Sequence, residues 1–203
     1  MKINHNKFLK LAFNLAKINL GKTKSNPSVG CVVVKDNSVI SSGYTSLNGR
    51  PHAEANELNK KKLFLKNSIL YTTMEPCTHY GVTSPCTDLI KKKKIKNVFF
   101  SSSDVDKRTS NKAISRLKGI QVRKLEVKKF NNFYESYEIN KEKLMPFINA
   151  KIALSKDLYS ISKKKKWITN SASRSRVHLI RSEYDTIIST SKSINKDNSL
   201  LNC

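Results

Sequence analysis

The sequence predicts an α/β protein whose first 127 residues form a three-layer α/β/α domain around a mixed, mostly parallel sheet. Two observations lead there. Apolar runs of strand length alternate with stretches of helical period, and after an opening hairpin the order settles into successive helix–strand units. Strands joined through single helices imply right-handed crossovers and a sheet covered on both faces. The chain has 203 residues, enough for one ordinary domain of about 100–150 residues and a substantial remainder.

The elements follow in order. Phe8, Leu11, Ala12, Leu15 and Ala16 recur at i, i+3, i+4 and i+7, so 6–20 is expected to be an amphipathic helix stopped by Gly21. VGCVVV (29–34) and SVISSGY (38–44) flank a turn-prone KDNS and predict a β-hairpin. HAEANELNKKKLFL (52–65) predicts a helix, followed by the strand SILYTT (68–73). CTDLIKKKK (86–94) predicts the next helix and NVFFSS (97–102) the next strand. TSNKAISRLKG (109–119) is expected to be helical up to its glycine, with IQVRKLEV (120–127) as the last strand of the domain.

Residues 128–146 predict a polar connecting helix and linker. After Pro146 the pattern restarts. FINAKIAL (147–154) and DTIIST (185–190) are strand-like, and WIT (167–169) leads into the helical stretch SASRSRVHLIRSEY. Two strands and one helix bury too little for a domain, so 147–203 is expected to be incomplete.

Composition narrows the function classes. No apolar run approaches the ~20 residues of a membrane span. Lysines and asparagines interrupt the apolar residues of the first twenty positions, so no signal peptide is expected and the chain is expected to be cytoplasmic. In that compartment Cys31, Cys77, Cys86 and Cys203 are thiols or metal ligands rather than disulfides. The formal net charge is +24, but lysine outnumbers arginine 32 to 7. Surfaces that grip phosphate and bases favour arginine forks. A solvated, lysine-biased surface is therefore preferred to a nucleic-acid-binding one.

The chemistry lies in three short motifs. PHAE (51–54) precedes a predicted helix, PC (76–77) follows a strand end, and Cys86 opens another helix. His52, Cys77 and Cys86 would converge at helix starts, where the positive end of the helix dipole stabilises the thiolates that zinc requires. Three protein ligands leave the fourth zinc position open, the mark of a catalytic site, where water can become a nucleophile near neutral pH. Glu54, two residues beyond His52, reaches the same region only if His52 sits at the helix entry. It would then shuttle protons from water to the substrate ring and to departing ammonia. This is the His-x-Glu…Pro-Cys…Cys arrangement of zinc-dependent base deaminases.

Three stretches, NPSVGCVVVKDNSVISSGY, PHAEANEL and TMEPCTHYGVTSPCTDLI, resemble the deaminase signatures of the bacterial bifunctional riboflavin-biosynthesis deaminase/reductase family. The eight residues between Cys77 and Cys86 are themselves a trait of that family; related base deaminases tend to have two. The resemblance covers 6–127 and implies a cytidine-deaminase-like domain. It implies hydrolytic deamination of a 2,5-diamino-6-(5-phosphoribosylamino)pyrimidinone. His52, Cys77 and Cys86 would bind Zn2+ and Glu54 would be the proton shuttle, while Asn26, His79 and Asp104 would contact substrate.

Several positions depart from the family pattern. Thr45 stands where a histidine is usual, and Val82 where the family has lysine or arginine. DVDK (104–107) replaces an Asp-Pro-Asn-Pro loop, and TSNKA replaces the glycines that follow. A lost phosphate contact of this kind costs roughly 1.5–3 kcal/mol. Either Lys107 and Arg108 replace it, or the substrate differs, or activity is impaired.

From residue 147 the chain resembles the opening of the same family's reductase domain, which has a dihydrofolate-reductase-like fold and uses NADPH. By position Leu154, Trp167, Ser193 and Asp197 would touch the nucleotide and Arg181 the substrate. Asp157-Leu158 replaces an Asp-Gly pair, and STSKSI (189–194) replaces a glycine-containing turn. NADPH is expected to bind only if that domain is complete.

Two other readings compete with a small-molecule deaminase. A nucleic-acid base deaminase is favoured by the charge and opposed by the cysteine spacing. A zinc-binding protein without turnover is motivated by the altered substrate side. Unpaired strands in the tail would let copies of the chain associate, so a homo-oligomer is also an expectation.

Overall fold

Residues 29–34 offer no polar side to solvent, and the chain answers by burying both of their faces: Val32, Val33 and Val34 are fully inaccessible. In the computed structural model, which describes residues 3–60, 64–160, 167–198 and 200–201, this run becomes β1 (Gly30–Lys35). It pairs with β2 (Ser38–Tyr44) and β3 (Ile69–Met74), and the sheet continues through β4 (Asn97–Ser102) to β5 (Gln121–Lys124) in the order β2-β1-β3-β4-β5. β1 runs antiparallel to both its neighbours, whereas β3, β4 and β5 run parallel. The predicted mixed sheet is therefore observed. The hairpin turns on Asp36 and Asn37, both at positive φ (50° and 61°). That is the geometry a two-residue loop needs to match strand twist, and Asp and Asn tolerate it.

Helices cover both faces. Alternation along β3 points Tyr71 and Thr73 one way and Leu70 and Thr72 the other. On the first side lies α1 (His5–Ala16), where Phe8 meets the Tyr71 ring at 5.1 Å. On the second lies α2 (Ala53–Leu58), whose Glu54 reaches Thr72. α2 packs against α3 (Cys86–Lys92), and α4 (Ala113–Arg116) packs against β5.

The predicted apolar stripe of the first helix is shifted. Its buried residues are Phe8, Leu9, Ala12, Phe13 and Ala16, and Leu11 is exposed. Close approach to the sheet sets this rotation. A Cβ at Gly30 would stand 1.8 Å from the Ala12 carbonyl oxygen, so the glycine lets the helix backbone lie directly on β1. Two other helices are shorter than predicted. α2 ends at Leu58, and residues 61–63 of the expected helix lie outside the described residues. The 109–119 stretch is helical only over Ala113–Arg116, because Asn111 takes a left-handed φ of 57°.

The stretch expected to be a connector packs instead onto the first unit. Phe130 stacks on Phe13 with centroids 4.3 Å apart. Tyr134 is buried, its hydroxyl paired with Thr73 and donating to the Ser28 carbonyl. α5 (Glu135–Lys143) follows, and by contact the chain divides between Phe147 and Ile148.

In the second unit, Ile148–Cys203, α6 (Ser171–Arg181) is capped by Asn170 and α7 (Ser191–Asp197) by Thr190. The strands expected at 147–154 and 185–190 are not formed among the described residues. Ile148, Ile152 and Ile188 are exposed there. A strand is stable only when a neighbour takes its backbone groups, and among the described residues no strand pairs with these segments. No described helix is long and apolar enough to cross a membrane.

Candidate metal centre and substrate site

His52 is the N-cap of α2, with extended backbone (φ −65°, ψ 157°) and no capping bond from its side chain. The imidazole therefore leaves the chain before the helix begins, while Glu54 sits in the first turn. This removes the objection that residues two apart do not share a helix face. Cys77 follows the end of β3 after Glu75 and Pro76, and Cys86 opens α3 behind Pro85.

These elements bring three ligand atoms together. The His52 Nδ1 lies 3.7 Å from the Cys77 Sγ and 3.5 Å from the Cys86 Sγ. All three ligand atoms lie within 4.8 Å of one another. Cys86 donates its backbone N–H to the Cys77 sulfur at 3.2 Å, and Thr87 ties its N–H to the Cys77 carbonyl at the same distance. Hydrogen bonding from Cys86 holds the Cys77 thiol well below its ordinary pKa, with His52 adding to it. Cys86 is pushed up, first by its bond to Cys77 and then by burial. The hydrogen bond with Cys77 raises His52 against the effect of burial.

Two thiols and one imidazole at this spacing fit zinc, a borderline-soft ion satisfied by sulfur and nitrogen in tetrahedral array. The set supplies three donors, so the fourth position is left to a small molecule.

Glu54 is 3% exposed. It accepts a long bond from the Thr72 hydroxyl at 3.5 Å, and its Oε2 lies 3.6 Å from the Cys86 Sγ. Burial raises its pKa. A carboxyl displaced toward neutral pH can both take up and release a proton during turnover.

The expected substrate residues line the loops around this centre. Asn26 donates its amide to the Gly49 carbonyl at 3.1 Å, bracing the turn that leads to His52. His79 Nδ1 meets the Thr109 hydroxyl at 3.1 Å, and Thr78 donates to the Arg108 carbonyl at 3.0 Å. The long cysteine loop is thus docked on the segment after β4. Asp104 is buried, accepting from the Asp106 N–H and the Tyr137 hydroxyl, both at 2.9 Å. Thr45, at the position of a family histidine, spends its hydroxyl on the Val29 N–H at 3.0 Å. Val82 is 84% exposed.

Sequence reasoning missed Glu75. Its buried carboxylate accepts three backbone N–H groups, from Asp104 (3.3 Å), Asn111 (3.0 Å) and Ala113 (2.9 Å). A glutamate directly before a Pro-Cys ligand motif was the available signal. Tyr137 was also missed, because 128–146 was taken for a polar connector.

The reductase-like positions fall in the second unit. Leu154 and Trp167 lie in irregular segments, with the Arg174 guanidinium 4.8 Å above the Trp167 ring. Arg181 ends α6, Ser193 donates its N–H to the Thr190 hydroxyl at 3.2 Å, and Asp197 closes α7 with a side chain outside the described ones.

Residues 2–102 match the family model described as the cytidine and deoxycytidylate deaminase zinc-binding region. The riboflavin biosynthesis protein RibD of Aquifex aeolicus is 36% identical over 198 residues, which are 94% of this chain and 55% of that protein. The solved diaminohydroxyphosphoribosylaminopyrimidine deaminase/5-amino-6-(5-phosphoribosylamino)uracil reductase of Thermotoga maritima is 33% identical with a TM-score of 0.87. That match covers 96% of this chain and 58% of that one. A RibD structure from Acinetobacter baumannii gives 30% identity and a TM-score of 0.83, covering 97% and 56%. The chain spans about half the length of the curated relatives it matches.

Proposed function

Because residues 2–102 belong to the zinc-binding cytidine and deoxycytidylate deaminase family and the whole chain is a homologue of RibD proteins, we propose that it deaminates a phosphoribosylamino-pyrimidine in riboflavin biosynthesis. The substrate is 2,5-diamino-6-(5-phosphoribosylamino)pyrimidin-4-one, and the products are the corresponding amino-uracil and ammonia. One observation carries the reading: Glu54 lies buried beside the His52, Cys77 and Cys86 ligand atoms.

Zinc held by these three residues would supply the Lewis acidity that makes water nucleophilic near neutral pH. The protein does the rest. His52 at the start of α2, Cys77 after β3 and Cys86 at the start of α3 would hold the ion, with the α3 dipole favouring the Cys86 thiolate. Glu54 takes a proton from the attacking water and gives it to the ring nitrogen beside the amino-bearing carbon. A second proton passes through Glu54 to the departing amine, so one C–N bond is replaced by a carbonyl and ammonia leaves. Asn26, His79 and Asp104 hold the pyrimidine from the surrounding loops. NADPH takes no part in this step.

Ammonia release by zinc-loaded protein tests the proposal. Turnover of the phosphoribosylamino-pyrimidine, lost by about 10²–10⁴-fold in Glu54→Gln with zinc retained, is the expected result. Activity on tRNA or single-stranded DNA but none on the small molecule would sink it.

A further inference from the structure

The substrate proposed above carries a phosphate, and the ribose separates that phosphate from the reacting ring. A cation that binds it therefore belongs at the rim of the site rather than at the metal. The rim loop offers Val82, an exposed apolar side chain with no charge to give. Of the expected replacements, Arg108 is already engaged. Its guanidinium makes a two-pronged contact with Asp106, Nε to Oδ1 at 2.9 Å and Nη2 to Oδ2 at 2.5 Å. Burial does not isolate that pair, and its charges largely cancel toward any third group.

Arg50 is placed differently. It stands two residues before His52, and its Nη1 donates to the Thr83 hydroxyl at 3.0 Å. Its Nη2 lies 3.5 Å from where a Cβ on Gly81 would stand. The guanidinium therefore lies against the residues on both sides of Val82. Among the described residues, no carboxylate pairs with it. A solvent-facing guanidinium with most of its donors unspent, at the rim of a site, matches the planar, two-oxygen face of a phosphate monoester.

We propose that Arg50 is the phosphate-binding cation of this site, doing from the chain before His52 what a basic side chain at position 82 would do from the cysteine loop. The assignment rests on the proposed deaminase reading for the identity of the ligand. It makes Arg50 a specificity residue that favours phosphorylated over dephosphorylated substrate.

Two measurements on zinc-loaded full chain separate this inference from the reaction assignment. Binding of ribose 5-phosphate and of inorganic phosphate is followed by calorimetry, and KM and kcat by ammonia release. Arg50→Gln is expected to weaken ribose 5-phosphate binding and raise KM about tenfold or more, with kcat little changed. Its effect on the dephosphorylated nucleoside should be small. Arg50→Lys should recover part of the loss, and Val82→Lys in the Arg50→Gln background should recover more. Zinc content and unfolding midpoint of each variant exclude misfolding. Turnover with an unchanged KM in Arg50→Gln overturns the role of Arg50 and leaves the deaminase reading standing. Arg50-dependent phosphate binding without turnover of the pyrimidine keeps the anion site and overturns the reaction. Phosphate binding that Arg50→Gln leaves intact overturns the inference on either account.

Discussion

The Glu75 carboxylate accepts the backbone N–H of Ala113 at 2.9 Å across 38 residues of sequence. Two more N–H groups of the same segment, those of Asp104 and Asn111, end on its other oxygen. One side chain adjacent to the Pro76-Cys77 pair therefore ties the loop that carries Asp104 and Thr109 to the strand end that delivers a ligand. Thr109 in turn meets His79, so the cysteine loop and the segment after β4 share one anchor.

Glu75→Gln should uncouple them. The amide keeps one acceptor and turns a donor toward backbone N–H groups, so at least one charge-assisted bond is lost. A loss of about 1.5–3 kcal/mol in stability is expected from urea unfolding. Zinc content should stay near one per chain. A wild-type unfolding midpoint would show that the carboxylate does not organise this loop.

The thiols differ in kind. Cys31 is buried in β1, and burial pushes its pKa well up, so it is an apolar core residue in practice. Cys86→Ser is expected to lose bound zinc in metal analysis, whereas Cys31→Ala should bind it as the parent does. Zinc loss in Cys31→Ala alone would contradict the ligand set.

Gly30 sets how closely α1 approaches the sheet. The Cβ of Gly30→Ala would overlap the Ala12 carbonyl, a backbone atom that cannot swing aside. Overpacking of this type costs about 1–3 kcal/mol. A thermal midpoint unchanged from the parent would mean the helix has room to lift.

Burial holds the Asp104 carboxyl above the ordinary carboxylate range, against its bonds from Asp106 and Tyr137. The folded chain then binds that proton more tightly than the unfolded chain does. Its contribution to stability is largest below the unfolded pKa of about 3.9 and is lost as pH rises through the higher folded value. Asp104→Asn should flatten this part of the stability–pH curve. Curves of identical shape for parent and variant would refute the shift.

Much of the site was legible because its signals are local. Helix starts, strand ends and ligand types lie within a few residues of one another in PHAE, EPC and PCTD, and zinc restricts which side chains serve. The hairpin was equally local, set by Asp36 and Asn37 between two apolar runs. The stripe of the first helix departs from expectation because Leu9 and Phe13 are buried against the sheet and Leu11 is exposed, the glycine of β1 admitting the helix backbone, whereas Leu15 packs against the core as expected. Phe130 and Tyr134 looked like parts of a polar connector until Phe13 and Thr73 were seen to receive them. The tail strands failed for the converse reason: apolar alternation was present, but no pairing partner was found among the described residues.

The sequence alone determined the candidate donor set, the candidate proton carrier Glu54 and the succession of helices and strands along the first 127 residues, because each depends on residue type and short spacing. Only the tertiary structure decided which groups stand beside them. Glu54 meets Thr72 and Cys86, Glu75 gathers a distant loop, and Arg50, unlike Arg108, pairs with no carboxylate among the described residues. Those outcomes depend on which strands lie side by side and which charges meet across loops, and such distances are set by packing rather than by position in the chain.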